Sequence, residues 1–190
     1  MDILKQRILS EGRNLGQGIL KVDSFINHQV DPALMHACAR EFACRFRPQN
    51  VTRVLTAEIS GIAPALLTAL ELGVPIVYAR KHKPITMPDA IFLTTAPSHT
   101  KGNLVDLMVS PEYLSAGERV LIIDDFLATG NTILGLARLA QAAGSTVVGV
   151  GTVIEKTFEG GRAALQSLHV PIEALAVITD MSEGRIVFQD

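Results

Sequence analysis

Two adjacent carboxylates at the end of an apolar run are the residues of this chain best suited to chemistry. Asp124 and Asp125 directly follow the four apolar residues at 120–123, and a turn of small and hydroxyl-bearing residues spans 128–132. An apolar run of this length predicts a buried strand. Ligands of a parallel sheet bind beyond the carboxyl ends of its strands, so the two acids are expected to face a ligand.

The turn at 128–132 has the composition of a phosphate-binding loop. It offers backbone amides, the hydroxyls of Thr129 and Thr132, and the N-terminus of a helix predicted to begin near Asn131, all of which favour an anion. The neighbouring carboxylates would repel a phosphate unless they face sugar hydroxyls or a divalent cation. The combination predicts a site for a sugar phosphate, whereas an isolated acid pair would more simply cap the helix.

Several other kinds of site have no support in the sequence. The chain has neither a GxxxxGK[ST] loop nor a GxGxxG turn after a strand, which excludes the common nucleoside-triphosphate and dinucleotide loops. Its five histidines are scattered, and Cys38 and Cys44 lie six residues apart in a helical pattern. That spacing is poor for a disulfide or a metal clip, so we expect two reduced thiols and no dedicated transition-metal site.

Composition limits the partners of the chain. Its 190 residues carry a formal net charge of -2, which gives no general field to attract nucleic acid or an anionic membrane. No apolar run approaches the roughly 20 residues of a membrane span, and the N-terminus is amphipathic rather than signal-like. We expect a soluble, cytoplasmic protein that holds any bound anion locally.

Alternating strand and helix patterns predict an α/β domain that positions the acids and the turn. Helices are predicted over 2–13, from Asp31-Pro32 to near Pro48, up to Gly73, from near Asn131 to Gly144, and over 160–168. Strands are predicted over 51–58, 75–80, 119–124 and 146–155, with a hairpin around Glu183-Gly184. A basic, proline-rich segment at 81–101 and a strand at 104–110 predict a hairpin or mobile flap. The succession implies parallel pairing with right-handed crossovers in one domain over 1–190.

The stretch IIDDFLATGNT resembles the phosphoribosyl-diphosphate signature of type I phosphoribosyltransferases. In that family two acids follow a hydrophobic strand, and a TG-containing turn holds the ribose phosphate. The resemblance implies the type I phosphoribosyltransferase fold, which is a central, mainly parallel sheet flanked by helices, with a small hood and a flexible flap. The hood would be formed by residues from about 1 to 35 and from about 155 to 190.

Three further segments resemble the xanthine-specific members of this family from bacterial purine salvage. They are ILKVDSFINHQVDPALM, SGIAPALLTALELGVPIVYARKHK and VIEKTFEGGR. The resemblance spans nearly the whole chain and implies a pentosyltransferase that moves the 5-phosphoribosyl group from phosphoribosyl diphosphate to N9 of xanthine. It also implies Mg²⁺, carried mainly by the substrate rather than by protein ligands, and a homodimer.

The resemblance assigns roles to matching positions. Asp124 and Asp125 would hold the ribose hydroxyls. The purine contacts would be Leu20, Asn27 and Lys156, and the phosphoribosyl-diphosphate contacts would be Ala128, Thr129, Gly130, Asn131, Thr132, Ser60 and Gly61. Lys156 and Asn27 can donate hydrogen bonds, as the two carbonyl oxygens of xanthine require.

Other candidates rest on residue chemistry. Phe126 and Phe158 could stack on a purine, although single phenylalanines more often pack in a core. The basic residues Arg80, Lys81 and Lys83 follow a strand beside two phosphate-binding turns, which favours a role with diphosphate over the usual solvated loop. Without the resemblance, Lys156 would be a surface lysine paired with Glu155.

Two departures from the family leave the substrate open. Hypoxanthine-guanine relatives carry an aspartate where this chain has Ala128, so the sequence identifies no general base. The turn at 129–132 is nearer to the general family pattern, and to adenine phosphoribosyltransferase, than to the xanthine enzymes. The alternatives are an adenine or hypoxanthine-guanine phosphoribosyltransferase, or a nucleotide-sensing regulator with the same fold. Such a regulator usually needs a winged-helix domain or a basic face, and the sequence predicts neither.

Overall fold

A six-stranded central sheet organises the molecule and contains the two acids. It is described from a computed structural model that covers residues 1–97 and 104–189. The helices are α1 (Asp2–Glu11), α2 (Pro32–Phe46), α3 (Ile62–Leu72), α4 (Asn131–Ala142) and α5 (Gly161–Ala164). The strands are β1 (Arg13–Asn14), β2 (Leu20–Lys21), β3 (Arg53–Ala57), β4 (Ile76–Ala79), β5 (Phe92–Pro97), β6 (Leu104–Val109), β7 (Arg119–Leu127), β8 (Thr146–Lys156), β9 (Ile172–Asp180) and β10 (Val187–Phe188).

Parallel pairing dominates the sheet, whose order is β10-β9-β8-β7-β3-β4. The pairs from β4 through β9 are parallel, and β10 is antiparallel to β9. Most residues of β7 and β8 are buried, as expected for strands that helices cover on both faces. The predicted α/β fold with a mainly parallel sheet is confirmed.

Helices on both faces begin at the edge of the sheet where the acids lie. α2 starts at Pro32 because Asp31 Oδ1 accepts hydrogen bonds from the N–H groups of Ala33 and Leu34, each at 3.0 Å. α2 packs with α3 in one hydrophobic cluster, and α4 packs in a second cluster around Ile133. Because α3 and α4 each follow a parallel strand, their N-termini flank the carboxyl edge of the sheet.

The strand that carries the acids is longer than the sequence predicts. The predicted strand ended at Asp124, but β7 continues to Leu127 because Phe126 and Leu127 still pair with Ile154 and Glu155 of β8. The acids therefore lie within the last part of the strand rather than beyond it. Side chains at successive strand positions point to opposite faces, so the extra pairing affects where each carboxylate points.

The segment between α1 and α2, for which the sequence predicts neither helix nor strand, has regular structure. It forms the hairpin β1–β2, followed by a single π-helical turn at Asp23–Asn27. Asn14 Nδ2 donates to the carbonyl oxygens of Met181, at 2.7 Å, and Arg185, at 2.9 Å. These bonds join the first part of the chain to the segment between β9 and β10.

A separate antiparallel pair, β5–β6, packs against α4. β6 corresponds to the strand predicted at 104–110, and the predicted flap at 81–101 extends beyond the described residues at 98–101. Arg138 of α4 donates from Nε to Thr94 Oγ1 and from Nη2 to the carbonyl oxygen of Thr95, each at 2.9 Å. These bonds fix β5 on the helix. Within the described ranges, no helix is long and apolar enough to cross a membrane.

Candidate active site

A cavity of about 530 Å³ opens at the carboxyl edge of β3, β7 and β8. It is bordered by the β3–α3 loop, the β7–α4 turn, the β1–β2 hairpin and the β5–β6 pair. Of the predicted site residues, those that line it are Leu20, Asn27, Ser60, Gly61, Lys81, Asp124, Asp125, Phe126, Ala128, Thr129, Gly130, Asn131, Thr132 and Lys156. The fold thus brings the acid pair, both amide-rich turns and the predicted purine contacts into one cavity.

The acid pair lies in an environment that disfavours its charge. Asp124 is 7% exposed, and its Oδ1 accepts a hydrogen bond from the N–H of Asp125 at 3.0 Å. Burial raises the pKa of Asp124 well above its usual range, and the neighbouring charge of Asp125 raises it further. Burial also raises the pKa of Asp125, and the positive charge of Lys81 offsets part of the rise for both carboxyls. A ligand that donates hydrogen bonds or brings positive charge would favour their ionised forms.

The loop after β3 approaches the acid pair closely because it contains a glycine. A Cβ added to Gly61 would lie 2.3 Å from Thr56 Oγ1 and 2.7 Å from Asp124 Oδ1. Gly61 immediately precedes α3, so the amides of this loop and the helix N-terminus lie beside the carboxylates. The backbone can supply donors to an anion here only because no side chain occupies the gap.

The second amide-rich turn connects β7 to α4. Gly130 has φ +81°, a left-handed conformation that favours glycine, and precedes the first residue of α4. The first N–H groups of a helix have no partner within the helix, so they are available to a ligand. Hydroxyl-bearing Thr129 and Thr132 line the same part of the cavity. This turn can bind a phosphate through amides and hydroxyls without a cationic side chain.

A buried lysine lies in the cavity next to the β1–β2 hairpin. Lys156 is the last residue of β8, and its Nζ donates to the carbonyl oxygen of Gly18 at 2.9 Å and pairs with Glu159. The ammonium also lies 5.8 Å from the centre of the Phe126 ring, within the range of a cation–π contact. An ammonium has three donors, so a third hydrogen bond can be made to a ligand beside Leu20 and Asn27.

Three of the predicted site residues, all within the described ranges, lie outside the cavity lining. Phe158 is 46% exposed, and its ring packs against the hairpin at Gly18, where an added Cβ would lie 3.2 Å away. Arg80 Nε donates to Glu58 Oε2 at 2.9 Å, and Lys83 Nζ donates to Asp89 Oδ1 at 3.0 Å. Each basic side chain has a carboxylate partner close in space. Of the predicted basic cluster, the cavity contains Lys81.

Other residues in the cavity were not predicted as contacts. Gln17 and Ile19 come from the β1–β2 hairpin, Glu58 and Ile59 from the β3–α3 loop, and Ala96, Pro97, Val105 and Leu107 from the β5–β6 pair. The sequence Gly16-Gln17-Gly18 contained a signal for the hairpin, since two glycines around one residue favour a tight turn. The apolar residues of β5 and β6 carried no local signal, because only the fold brings them into the same cavity as the acids.

A second depression, of about 810 Å³, lies at the other side of β8 and is lined by Met1, Lys5 and Arg162. Its cationic groups already have partners. The N-terminal ammonium donates to the carbonyl oxygen of Leu175, Lys5 Nζ to that of Gln189, and Arg162 to Glu155. The smaller cavity is the better candidate site because it contains the acids of raised pKa and the two amide-rich turns.

The chain is similar to known proteins along most of its length. Residues 31–168 match the phosphoribosyl transferase domain family. Xanthine phosphoribosyltransferase from Oceanobacillus iheyensis is 46% identical over 190 residues, which cover 100% of this chain and 98% of that protein. Xanthine phosphoribosyltransferase from Deinococcus deserti is 50% identical over 184 residues, which cover 97% of this chain and 95% of that protein. The crystal structure of adenine phosphoribosyltransferase from Thermoanaerobacter pseudethanolicus shares the fold, with a TM-score of 0.75 at 24% identity, and the match covers 92% of this chain and 98% of that one.

Proposed function

The chain belongs to the phosphoribosyl transferase domain family, and from that premise we propose that it is a xanthine phosphoribosyltransferase of purine salvage. It transfers the 5-phosphoribosyl group of phosphoribosyl diphosphate to N9 of xanthine, giving xanthosine 5′-monophosphate and diphosphate. The observation that carries the proposal is the cavity in which the acid pair and the 128–132 turn share space with Asn27 and Lys156. The names of full-length relatives at 46% and 50% identity support xanthine as the purine.

The ribose 5-phosphate is held from two directions. The amides and hydroxyls of the 128–132 turn bind the 5-phosphate at the N-terminus of α4. Asp124 and Asp125 accept hydrogen bonds from the ribose hydroxyls, which favours their ionised forms. As the bond from C1 to diphosphate breaks, positive charge develops on the ribose, and the two carboxylates stabilise it in a site already shaped for them.

The purine lies between the hairpin and the end of β8. Lys156 and Asn27 donate to the carbonyl oxygens of xanthine, and Phe126 and Leu20 provide apolar contact for the ring. A site built to donate to two oxygens discriminates against a purine with an amino group there, because that group would leave buried donors without acceptors. The xanthine N9 is then positioned to form the new bond to C1.

Water must be kept from the activated ribose. Ala96, Pro97 and Val105 of the β5–β6 pair line the cavity with apolar surface, which would help to exclude water from the reacting atoms. The diphosphate itself would contact the amides of Ser60 and Gly61 and the ammonium of Lys81.

Mg²⁺ is the cofactor that this chemistry requires. Among the described residues, no three or more His, Cys, Asp or Glu side chains are grouped so that they could hold a metal ion. Mg²⁺, however, is commonly held by one or two carboxylates together with substrate and water oxygens. Asp124 and Asp125 fit that donor set. When bound, Mg²⁺ supplies charge neutralisation for the departing diphosphate.

No protein base is needed if xanthine enters as its anion. Xanthine is the most acidic common purine, and Ala128 provides no proton acceptor where hypoxanthine-guanine relatives carry an aspartate. The acid limb of the pH–rate profile should then follow the pKa of the purine rather than that of a protein group. If the apparent pKa of the acid limb were the same for purines of different acidity, this step would be contradicted.

Diphosphate release tests the proposal directly. Purified protein would be given phosphoribosyl diphosphate and Mg²⁺ with xanthine, guanine, hypoxanthine or adenine in separate reactions. We expect kcat/KM for xanthine to exceed the others by about tenfold or more, the discrimination that one buried hydrogen bond can give. Faster release with another purine would retain the transfer reaction and overturn the purine assignment. If no diphosphate were released with any of the four purines, the proposed enzymatic activity would be refuted and a nucleotide-sensing regulator would be favoured.

We also propose that the enzyme is a homodimer. α3 exposes Leu66 and Leu70, which are 52% and 69% accessible, and the neighbouring strand β4 exposes Tyr78. Apolar side chains grouped on adjacent elements favour association with another protein surface. Light scattering should give about twice the mass of one 20.4 kDa chain.

A further inference from the structure

Glu58 connects two segments that border the cavity. It is the first residue after β3, and its Oε1 accepts a hydrogen bond from the main-chain N–H of Lys81 at 2.6 Å. Its own N–H donates to the carbonyl oxygen of Ala79 at 3.1 Å. The end of β3 is therefore tied to the end of β4 by the main-chain bond to Ala79. The side-chain bond to Lys81 adds a second connection two residues further along the chain.

A carboxylate at this place would oppose an anionic ligand unless its charge were compensated. Glu58 lines the cavity, where we place the diphosphate, and its side chain is 16% exposed. Arg80 supplies the compensation, since its Nε donates to Glu58 Oε2 at 2.9 Å. The Arg80 guanidinium also lies 5.9 Å from the centre of the Tyr78 ring. Arg80 therefore neutralises Glu58 rather than facing the ligand.

Lys81 is left as the cation of this segment that faces the site. It lines the same cavity as Asp124 and Asp125. Residue 80 is fixed by two main-chain bonds with Met108, at 2.9 and 3.0 Å. Residue 81 is one position beyond this bridge, and the Glu58 carboxylate provides the acceptor for its N–H.

We propose that Glu58 is a positioning residue for diphosphate binding, acting through Lys81. Its carboxylate fixes the main chain of Lys81, so that the ammonium is directed at the diphosphate, and Arg80 removes the charge that would otherwise repel the ligand. The inference rests on the proposed function, because it assigns a role within the same site. It predicts that Glu58 affects the phosphoribosyl donor and not the purine.

Initial-rate kinetics with each substrate varied in turn test the role. In Glu58→Ala the KM for phosphoribosyl diphosphate should rise about tenfold, as expected when a charged donor loses its orientation, while the KM for xanthine stays within about twofold. Glu58→Gln keeps an oxygen acceptor for the Lys81 N–H and should recover most of the affinity for the donor. An unchanged donor KM in Glu58→Ala, or equal rises in both KM values, would overturn the proposal.

A double-mutant comparison separates positioning from a direct effect. If Glu58 acts through Lys81, then Glu58→Ala should add little to the donor KM of Lys81→Ala, whereas independent effects would multiply. Multiplied effects would contradict the proposal. Wild-type turnover is measured first, so a chain inactive with every purine would refute the proposed function and would not be mistaken for a failure of Glu58.

A matched control is available in an ion pair at the other end of β3. Glu118 pairs with Arg53 at 2.6 Å, its side chain is also 16% exposed, and the pair lies at the opposite end of β3. Glu118→Ala removes an ion pair of similar burial without touching the cavity lining, so both KM values should stay within about twofold. A rise in donor KM in this variant as large as in Glu58→Ala would show that loss of any such ion pair suffices, and would overturn the specific role.

Discussion

At the scale of single residues, the acid pair shows a conflict between folding and function. Burial raises the pKa of Asp124 well above its usual range and also raises the pKa of Asp125, which means that the folded, unliganded site disfavours the ionised carboxylates. A group whose pKa is raised on folding contributes stability at acidic pH, and that contribution is lost as the pH rises through the raised pKa. The chain therefore holds two carboxylates where their charge is useful to a ligand and unfavourable without one.

The double variant Asp124→Asn with Asp125→Asn should separate these effects. We expect kcat/KM to fall by about 10²–10³-fold, as for removal of other preorganised electrostatic groups. At pH 8 the unliganded variant should unfold at a Tm higher by about 2–4 °C, the shift given by about 1 kcal/mol in a chain of this size. This difference in Tm between the variant and the wild type should vanish as the pH falls towards the ordinary aspartate pKa. Normal activity, or a lower Tm at pH 8, would contradict the assignment.

Gly61→Ala tests whether the diphosphate loop depends on its close approach to the acids. The added Cβ would lie 2.3 Å from Thr56 Oγ1 and 2.7 Å from Asp124 Oδ1, so the loop or the carboxylate must move. We expect the donor KM to rise and kcat to fall, each by about tenfold, because small displacements at reacting groups are costly. Steady-state kinetics with the donor varied provide the measurement.

Gly73→Ala is the control for that substitution. Gly73 ends α3 with φ +71°, and no described heavy atom lies within 4 Å of an added Cβ. The strained backbone should lower the Tm by about 2–4 °C without changing either KM. If Gly61→Ala behaved in the same way, the proposed contact between loop and acids would have no functional role.

At the scale of elements, the sequence predicted what local periodicity and capping determine. Asp31-Pro32 marked the start of α2, and Gly73 marked the end of α3, because caps depend on residues adjacent in sequence. The end of β7 was wrong by three residues, since the pairing that extends it comes from β8. The β1–β2 hairpin was missed because strands of two residues carry too little periodicity to recognise.

The contrast between local sequence and folded geometry also applies to the predicted site contacts. The acid pair and the 128–132 turn are contiguous in sequence, and the fold places all of them in the cavity. Arg80 and Lys83 were grouped with Lys81 by sequence alone, but their partners Glu58 and Asp89 are chosen by the folded geometry. A cluster of like charges therefore predicted the location of a cation without identifying which one faces the site.

Lys156 connects two elements, and its replacement by methionine should affect both. Its Nζ joins the end of β8 to the β1–β2 hairpin through the carbonyl oxygen of Gly18, at 2.9 Å. In Lys156→Met we expect the KM for xanthine to rise by about tenfold or more, since a charged hydrogen bond is lost, with the donor KM nearly unchanged. Amide hydrogen exchange at residues 15–19 should become faster because the hairpin loses an anchor.

Lys5→Met is a matched control for Lys156→Met. Lys5 Nζ donates to the carbonyl oxygen of Gln189 at 2.7 Å and lies 5.6 Å from the centre of the Phe188 ring. It therefore makes the same two kinds of contact outside the cavity. Its loss should leave both KM values and the exchange of residues 15–19 unchanged. Equal effects of Lys156→Met on both substrates would place Lys156 outside the purine pocket.

At the scale of the whole molecule, the site exists because parallel topology brings distant segments to one edge. Asp124 in the last part of β7 and Lys156 at the end of β8 enter from neighbouring strands, while Gly61 enters from the loop after β3. The β1–β2 hairpin approaches from the N-terminal part of the chain and is tied down by Asn14. Each segment has an ordinary structural explanation alone, and only their convergence indicates a catalytic cavity.

The surface of α3 provides the last test, of the proposed dimer. Leu70 is 69% exposed on α3, and Leu9 is 59% exposed on α1. If α3 forms the interface, Leu70→Glu places a charge in a buried contact and should raise the dimer dissociation constant by about 10-fold to 100-fold. Leu9→Glu makes the same chemical change on a surface outside that interface and should leave the mass unchanged. Sedimentation at decreasing protein concentration measures both. Dissociation by Leu9→Glu instead would move the interface to α1, and a wild-type protein that is monomeric at every concentration would refute the dimer.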